Sequence, residues 1–349
     1  MPTETQNVPV PLISVIIVCW NSGIYLPRCL ECLQDQTMAN FEVIVIDNGS
    51  SDNEVENLRE KWIGLDFQIE KLAANEGFAR ANNIGAHLAR GRWLALLNAD
   101  AFPEPDWLEK LLQAAEANPK FTSFSSRQIR ADNPEFLDGA GDAYHVSGLA
   151  WRIGLGYPSR QYGLDATELF SPCAAAAMYL RKAFLEVEGF DEEFFSYFED
   201  VDLGFRLQLR GYRCLYVPGA VVHHIGSATF GERSDFAFYH SHRNLVLTFV
   251  KNMPAAMLWR YLPAHFIANL IYIVYYTVRG RGRVLWRAKY DALKELPKFI
   301  RKRRGIQRHA QSTSSDLMRV MQHGWLQPYL LGYHMRRVRR TAEFSSSKN

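Results

Sequence analysis

Cysteine is scarce in this sequence, and its five copies are scattered along 349 residues. Cys29 and Cys32 form a C-x-x-C pair, but no second pair follows at a spacing that would complete a zinc site. The pair also lies inside a helical pattern rather than at its start, so we interpret both residues as packed thiols. The cysteine pattern argues against a disulfide framework and against a structural zinc fold.

Other signals are missing as well. Residues 1–11 lack a basic segment followed by an apolar run, so we expect no signal peptide. The apolar stretch Met257 to Val278 is interrupted by Arg260 and Pro263, which makes it a poor candidate for a spanning helix. No G-x-G-x-x-G sequence follows a predicted strand, so a dinucleotide site gains no support.

Negative charge is scarce in the C-terminal part, although the net charge of +3 conceals this. Residues 1–278 contain 22 Lys and Arg against 33 Asp and Glu, whereas residues 279–349 contain 18 against 4. An acidic body with a basic tail indicates an anionic partner for the tail, either a lipid surface or nucleic acid. Because no recognised nucleic-acid module accompanies the charge, we expect an anionic membrane surface and no nucleic acid.

Short apolar runs rich in β-branched residues predict buried parallel strands, with helix-periodic stretches between them. Strands are predicted at residues 13–19, 41–46, 67–71, 93–97, 121–129, in the run of small residues 173–180, and at 214–217 and 220–224. Helices are predicted at residues 25–36, from about 52 to 61, and at 78–89, 105–118, 199–210 and 234–251. Residues 131–170 show no sustained period and are predicted to be long loops over the site. This alternation predicts an α/β layered domain with a mostly parallel sheet.

Polar residues follow several of these strands directly. Asn21, Asp47 and Asp100 each lie just past a strand end, where ligands bind in open α/β sheets. Asp100 can hold a divalent cation through oxygen ligands, or it can simply cap a turn. Asp47 can contact a nucleotide base, or it can belong to a turn and helix cap.

Two further segments offer binding or catalytic groups. Asn75 to Asn83 starts a helix with small and amide residues, which suits phosphate oxygens with help from Arg80, or is a capped surface helix. Glu199 and Asp200 follow an aromatic cluster, where a carboxylate can have a raised pKa and act as a general base. The alternative is a helix N-terminus enriched in acids. His224 ends a strand and is either a metal ligand or a structural histidine.

In this order, the segments resemble a family 2 glycosyltransferase across residues 11–251. The matching segments are the opening strand into Asn21, Ile46 to Asp52, Asn75 to Phe78, Leu97 to Asp100, Phe198 to Asp202, and His224 to Thr229. The branch that they resemble most is rhamnosyltransferase-like and builds bacterial surface polysaccharide, such as O-antigen, on lipid carriers.

The resemblance implies a GT-A fold, a nucleotide-sugar donor and Mg²⁺ or Mn²⁺. It implies that Asp100 and His224 bind the metal and that Asp200 is the catalytic base. The expected donor- and cofactor-binding residues are Asn21, Asp47, Asn75, Gly77, Arg80, Asn98 and Asp100. Asn98 replaces the first carboxylate of the family's D-x-D motif, which lowers the charge on the metal. The Q-x-x-R-W signature of processive synthases is missing, which favours transfer of one sugar or few.

The expected reaction is a single inverting displacement onto a lipid-linked saccharide. dTDP-rhamnose is the first expected donor, and a UDP-hexose is the second. A sugar-nucleotide pyrophosphorylase is disfavoured because Cys19 to Gly23 is not a Gly-rich loop with a basic residue. A non-catalytic, membrane-bound scaffold that only binds nucleotide-sugar is the alternative outside enzymes.

We expect a glycosyltransferase domain at residues 1–251 and a helical, basic extension at residues 252–349. Within Met257 to Val278, one helical stripe is polar and aromatic and the other side is apolar, which suits a helix lying in the bilayer interface. We therefore expect the protein on the cytoplasmic face of the membrane. A helical appendage docked on the catalytic domain, or an oligomer contact, is the alternative.

Overall fold

A computed structural model of the protein describes residues 10–52, 55, 66–226 and 234–324. The predicted helix that ends near Lys61 lies almost wholly outside these residues. Ser227 to Thr229, at the end of the last matching segment, and the basic residues after position 324 also lie outside them.

The elements follow the predicted alternation through the first half of the chain. The strands are β1 (Ile13–Cys19), β2 (Phe41–Asp47), β3 (Asp66–Lys71), β4 (Trp93–Asn98), β5 (Ala101–Pro103), β6 (Phe121–Arg130), β7 (Leu137–Gly139), β8 (Asp142–Tyr144), β9 (Ala150–Arg152), β10 (Thr167–Leu169), β11 (Ala176–Leu180) and β12 (Arg213–His224). The helices are α1 (Leu26–Gln34), α2 (Gly77–Leu88), α3 (Trp107–Ala117), α4 (Arg181–Glu186), α5 (Glu199–Leu209), α6 (Asp235–Asn252), α7 (Ala255–Val278), α8 (Gly282–Arg308) and α9 (Ser314–Val320).

One sheet carries most of the strands, in the order β10-β12-β6-β11-β4-β1-β2-β3. The block β4-β1-β2-β3 is parallel, and β12 runs parallel to β6. β11 is antiparallel to both β4 and β6, between which it lies. The predicted α/β class with a mostly parallel sheet is therefore confirmed.

Helices cover both faces of the sheet. Alternate residues of each central strand therefore enter opposite cores. Val15 and Val43 pack with α1 and α3, whereas Ile16 and Ile44 pack with α2, α4 and α5. Cys29 of α1 is fully buried in the first of these cores, as expected for a packed thiol. Burial on both faces explains why the sequence of these strands is almost continuously apolar.

Three sequence predictions differ from the structure. Residues 131–170 contain β7 to β10 rather than only loops, and each of these strands has three residues, which is too short to show a period. The two strands predicted at 214–217 and 220–224 are one strand, β12, with a register shift between Val217 and Val221. The helix predicted from Pro105 begins at Trp107.

The C-terminal elements pack onto the sheet domain. α8 lies along α6, and α6 contacts α5, the helix that begins with the acidic pair. Within the part of the chain that the structure describes, α7 is the one helix long and apolar enough, by length and composition, to cross a membrane. It has the two sides predicted from the sequence, but its polar stripe contacts protein: His265 and Asn269 are buried.

Candidate active site

A cavity of about 540 Å³ opens beyond the carboxyl ends of β1 and β4. Its wall includes residues from all six matching segments, among them Trp20, Asn48, Asn75, Gly77, Asn98, Asp100, Glu199, Asp200 and His224. A larger cavity of about 790 Å³ lies between α5 and α8, but it contains none of these residues. The chemistry-bearing residues therefore single out the smaller cavity.

Sheet register brings Asp100 and His224 together. β5, which directly follows Asp100, pairs antiparallel with β12, so that Ala101 lies opposite His224. The Asp100 Oδ1 atom is 3.3 Å from the His224 Nε2 atom, and both residues are buried. The side-chain nitrogen Nδ2 of Asn98 lies 3.4 Å from the same Nε2 atom of His224.

Asp138 of β7 holds the other side of the His224 ring. Its Oδ2 atom is 2.8 Å from His224 Nδ1 and also accepts a 2.8 Å hydrogen bond from Arg152. Burial lowers the pKa of His224, but its hydrogen bonds to Asp100 and Asp138 outweigh burial and raise this pKa to about 9. The imidazole is therefore held as a cation between two carboxylates at neutral pH.

These donors fit a divalent metal ion that accepts both oxygen and nitrogen ligands. One carboxylate oxygen and one imidazole nitrogen converge, and a carboxylate on the far ring nitrogen is the arrangement that orients metal-binding histidines. The donor set therefore fits Mg²⁺ or Mn²⁺ at Asp100 and His224, and loading the metal would release the proton from His224 Nε2.

Asp200 lies at the start of α5, beside a second carboxylate. Its Oδ1 accepts a 2.8 Å hydrogen bond from the Val201 amide, and its Oδ2 accepts a 3.3 Å bond from the Ala174 amide. Burial raises the pKa of Asp200, and Arg152 opposes this effect. Burial and the nearby Asp200 raise the pKa of Asp142 well above its usual range. Asp142 is therefore the neutral partner, and Asp200 is left as the proton acceptor.

The ligand atoms of Asp142, Cys173 and Asp200 lie within 4.8 Å of one another, which is close enough to hold a cation. However, burial raises the pKa of the Cys173 thiol to about 12, so the sulfur stays protonated. A protonated thiol is a poor ligand for Mg²⁺ or Mn²⁺. We therefore interpret this cluster as an acid–base group.

The loop before the acidic pair is held in an unusual backbone conformation. Phe195, Tyr197 and Phe198 all have positive φ angles of 64°, 68° and 71°. The Asn244 side-chain amide of α6 donates to the carbonyls of residues 194, 196 and 197 and so fixes this loop. Such conformations persist only where the surroundings determine them, and they cluster at functional sites.

The start of α2 forms the opposite wall of the cavity. Asn75 accepts hydrogen bonds from the Asn48 side chain at 3.0 Å and from the Gly77 amide at 2.9 Å. Gly77 has a φ of +85°, and a Cβ atom there would lie 2.7 Å from the ring and the carbonyl oxygen of Phe195. Only glycine lets this helix start approach the base loop so closely.

Three predicted donor-binding residues are not part of the cavity wall. Asp47 is buried, and its Oδ1 accepts the Ser50 amide at 2.9 Å, which is the turn-forming role that the sequence left open. Asn21 is exposed and accepts from the Ser51 amide at 2.9 Å. Arg80 is half-exposed on α2, 3.7 Å from Glu76. Their role in donor binding stays a prediction.

Sequence reasoning missed Asp138, Asp142 and Arg152. All three lie in the segment that was predicted to be long loops over the site, without any residue singled out in it. The signal that could have found the two acids is the sequence Asp-Gly-Ala-Gly-Asp from position 138 to 142, since acids spaced by glycines suit a tight approach of backbone to a ligand. No such signal marks Arg152. Gly139 shows this directly, because a Cβ there would lie 2.4 Å from the Arg152 side chain.

The sequence pattern of the family described as "Glycosyl transferase family 2" matches residues 14–187. A chondroitin synthase of Escherichia coli is 35% identical over 106 residues, covering 30% of this chain and 15% of that protein. This chain spans about a third or less of the length of the curated relatives that it matches.

Solved structures share the fold. The crystal structure of GalNAc-T7 with UDP, GalNAc and Mn²⁺ has a TM-score of 0.56 at 18% identity, covering 70% of this chain and 48% of that one. The mannosyltransferase PcManGT from Pyrobaculum calidifontis, in complex with GDP-Man and Mn²⁺, has a TM-score of 0.51 at 16% identity, covering 86% of both chains. At these identities the likeness extends to the fold alone.

Proposed function

We propose, on the premise that residues 14–187 form a family 2 glycosyltransferase domain, that this protein is an inverting glycosyltransferase. In this proposal it moves one sugar from a nucleotide-sugar to a saccharide carried on a lipid. The observation that supports it most is that the Asp100–His224 pair and the Asp142–Asp200 pair line one cavity. A metal-binding group and a base on the same cavity are the two groups that a direct displacement needs.

Asp200 is the proposed base. It accepts the proton of the acceptor hydroxyl while that oxygen forms its bond to the anomeric carbon, and the bond from that carbon to the diphosphate oxygen breaks in the same step. One displacement inverts the anomeric configuration. Bound at Asp100 and His224, Mg²⁺ or Mn²⁺ would supply positive charge for the departing diphosphate.

The neutral Asp142 and the cationic Arg152 stand beside the base in this scheme. Arg152 favours the ionised form of Asp200 and holds Asp138 against His224. The side chain of Asn98, together with Asn75 and the amides at the start of α2, faces the donor side. Helix N-termini of this kind favour phosphate oxygens.

dTDP-rhamnose is our first proposal for the donor, on the strength of the motif resemblance, and a UDP-hexose is the second. The proposed acceptor is a lipid-linked saccharide at the cytoplasmic face of the membrane, in keeping with the exposed apolar side chains of α7. The structural neighbours bind GDP-mannose or UDP and Mn²⁺, which supports the class of donor and cofactor but no particular sugar.

The decisive experiment measures release of nucleoside diphosphate from a panel of dTDP-, UDP- and GDP-sugars with Mg²⁺ or Mn²⁺. We expect metal-dependent release with one donor and a product of inverted anomeric configuration. Binding of a donor with no release, for every acceptor extract tested, would favour the scaffold and overturn the enzyme proposal.

A further inference from the structure

Helix α7 turns its polar side towards the protein and its apolar side outwards, the reverse of an ordinary surface helix. His265 and Asn269 are buried against the protein, and Tyr272 and Tyr276 pack edge-on to the His242 ring of α6 at centroid distances of 5.2 and 5.5 Å. The opposite face exposes large apolar side chains, with exposed fractions of 72% for Trp259, 67% for Phe266, 57% for Val274 and 82% for Val278. A contiguous apolar face of this size marks an interaction surface.

The charges around this face favour a lipid surface. No Asp or Glu occurs between Asp235 and Asp291, whereas Arg260 and Arg279 flank the two ends of the apolar face. α8 continues the pattern with exposed Trp286 and Tyr290 among basic residues. Aromatic rings beside arginines, without acids, are typical of segments that lie at the headgroup level of an anionic bilayer.

The buried face of α7 decides how the helix would lie. Met257, Ala268 and Asn269 contact protein along several turns, so hydrocarbon cannot surround the helix on all sides. A helix with one face on a water-soluble domain and the other exposed fits the plane of the interface better than a spanning position.

The same buried face supports a hairpin of the active site. The His265 ring donates from Nδ1 to the carbonyl oxygen of Ser147, 2.8 Å away, and stacks on Phe249 at a centroid distance of 4.0 Å. Leu149 packs against Ala268 in a small buried cluster. Ser147 and Leu149 lie in the turn that joins β8 to β9, so α7 holds this turn directly.

The two strands of the hairpin carry active-site residues. Asp142 of β8 lies opposite Arg152 of β9 in the strand register, and both side chains line the candidate cavity. The two short strands therefore connect the turn that α7 contacts to Asp142, which lies beside Asp200, and to Arg152, which donates to Asp138.

We propose that α7 docks the protein on an anionic bilayer through its apolar face while its polar face fixes the β8–β9 hairpin. This inference rests on the proposed function, since it assigns the hairpin to a catalytic cavity. One helix then sets both the position of the enzyme at the membrane and the geometry of Asp142 and Arg152. The occupant of the apolar face is the lipid interface, not a second copy of the chain.

Vesicle flotation of the purified full chain tests the docking surface. The double variant Phe266→Lys/Val274→Lys places two charges on the apolar face, and Leu164→Lys is the control because Leu164 is exposed far from α7 in sequence and outside the candidate cavity. With vesicles of phosphatidylglycerol and phosphatidylcholine, we expect at least a tenfold loss of bound protein for the double variant and none for the control. If the double variant floats as well as the wild type, the proposal is overturned. It is also overturned if the double variant loses a dimer that the wild type forms while its flotation is unchanged.

A second experiment tests the link to the hairpin. His265→Ala removes the donor to Ser147, whereas His265→Asn keeps an N–H near the position of Nδ1. We expect a roughly tenfold or greater loss of turnover in His265→Ala, partial recovery in His265→Asn, and normal flotation for both. Unchanged turnover in His265→Ala, with an unchanged melting temperature, contradicts the link. If the wild type turns over no nucleotide-sugar at all, the proposed function fails. The flotation result still tests whether α7 is the docking surface.

Discussion

Single residues carry the chemistry that we propose, and Asp200 carries most of it. The Asp200→Asn variant keeps the shape of the side chain and removes the base, so turnover should fall by roughly 10²- to 10⁴-fold. Donor affinity, measured by calorimetry, should stay near the wild-type value because the change lies on the acceptor side. Near-normal turnover of Asp200→Asn would contradict the assignment of Asp200 as the base.

The neighbouring Glu199 is the matched control. It is also buried at the cavity wall, and its Oε2 atom has no hydrogen-bond partner among the described residues. Burial raises its pKa well above the usual range, so it is neutral and cannot serve as the base at neutral pH. We expect Glu199→Gln to retain most of the activity. If Glu199→Gln lost turnover and Asp200→Asn kept it, Glu199 rather than Asp200 would be the base.

His224 gives a prediction about pH. Its pKa is raised from 6.5 to about 9 in the folded, metal-free protein, so its contribution to stability is complete below pH 6.5. That contribution, about 3 kcal/mol at 1.4 kcal/mol per pKa unit, is lost as the pH rises from 6.5 to 9. Melting temperatures of the wild type and of His224→Gln in EDTA should therefore converge across this range. A constant difference would contradict the ion pairs.

The family resemblance implied that Asp100 and His224 bind one metal and that Asp200 is the base, but it named none of the residues that hold them. Asp100, Asp200 and His224 lie in segments whose strand or helix ends are readable, and the structure brings them to one cavity. Asp138 and Arg152 were missed because their strands have three residues each, and their contact depends on long-range pairing that no local pattern predicts. Asp47 shows the reverse case, since turn and binding roles share one sequence signature.

At the scale of elements, the loop from Phe194 to Phe198 depends on a helix distant in the chain. Asn244→Ala would remove the two N–H groups that contact three carbonyls and leave the buried Phe194 carbonyl unpaired, at about 1–3 kcal/mol where no water replaces the amide. We expect a clear fall in melting temperature together with a fall in turnover, because the loop precedes Asp200.

Asn118→Ala is the control for this variant, because the Asn118 side chain at the end of α3 donates to the Ala114 carbonyl one turn away, within its own helix. It should change the melting temperature by a degree or two at most and leave turnover intact. Equal effects of the two variants would mean that Asn244 does not position the loop.

The elements with a long, uninterrupted sequence pattern were the predictable ones. β1, β2 and β4 are continuous apolar runs, and α6 repeats over 18 residues, so their sequence ranges match the structure within about two residues. β12 was predicted as two strands because Pro218 and Gly219 interrupt its pattern. The structure keeps it as one strand, since the sheet pairs on both sides of the irregularity.

At the scale of the whole molecule, the C-terminal extension shares a buried cluster with the part of the chain before residue 252. Phe299 of α8 packs with Phe194 and Leu247 in one buried cluster. Lys251 is almost fully buried and pairs at 2.7 Å with both Asp191 and Asp202. The boundary predicted at residue 251 therefore falls beside contacts that join the two parts.

A fragment of residues 1–251 tests how independent these parts are. We expect it to aggregate or to lack a cooperative melting transition, because removal of α8 exposes Phe194 and Leu247. A fragment of residues 1–324, which keeps α8 and α9, is the control and should melt cooperatively. Cooperative melting and full turnover of the shorter fragment would contradict a shared core.

The inward orientation of the polar stripe on α7 has a practical consequence for handling the protein. Because Trp259, Phe266 and Val278 contact little of the protein, they can be exchanged for glutamine or serine without repacking any core. If α7 binds lipid as we propose, such a redesigned chain would stay dispersed without detergent and keep the candidate active site unaltered. It would allow crystallisation and donor screening in plain buffer, which an ordinary membrane helix, apolar on every side, does not permit.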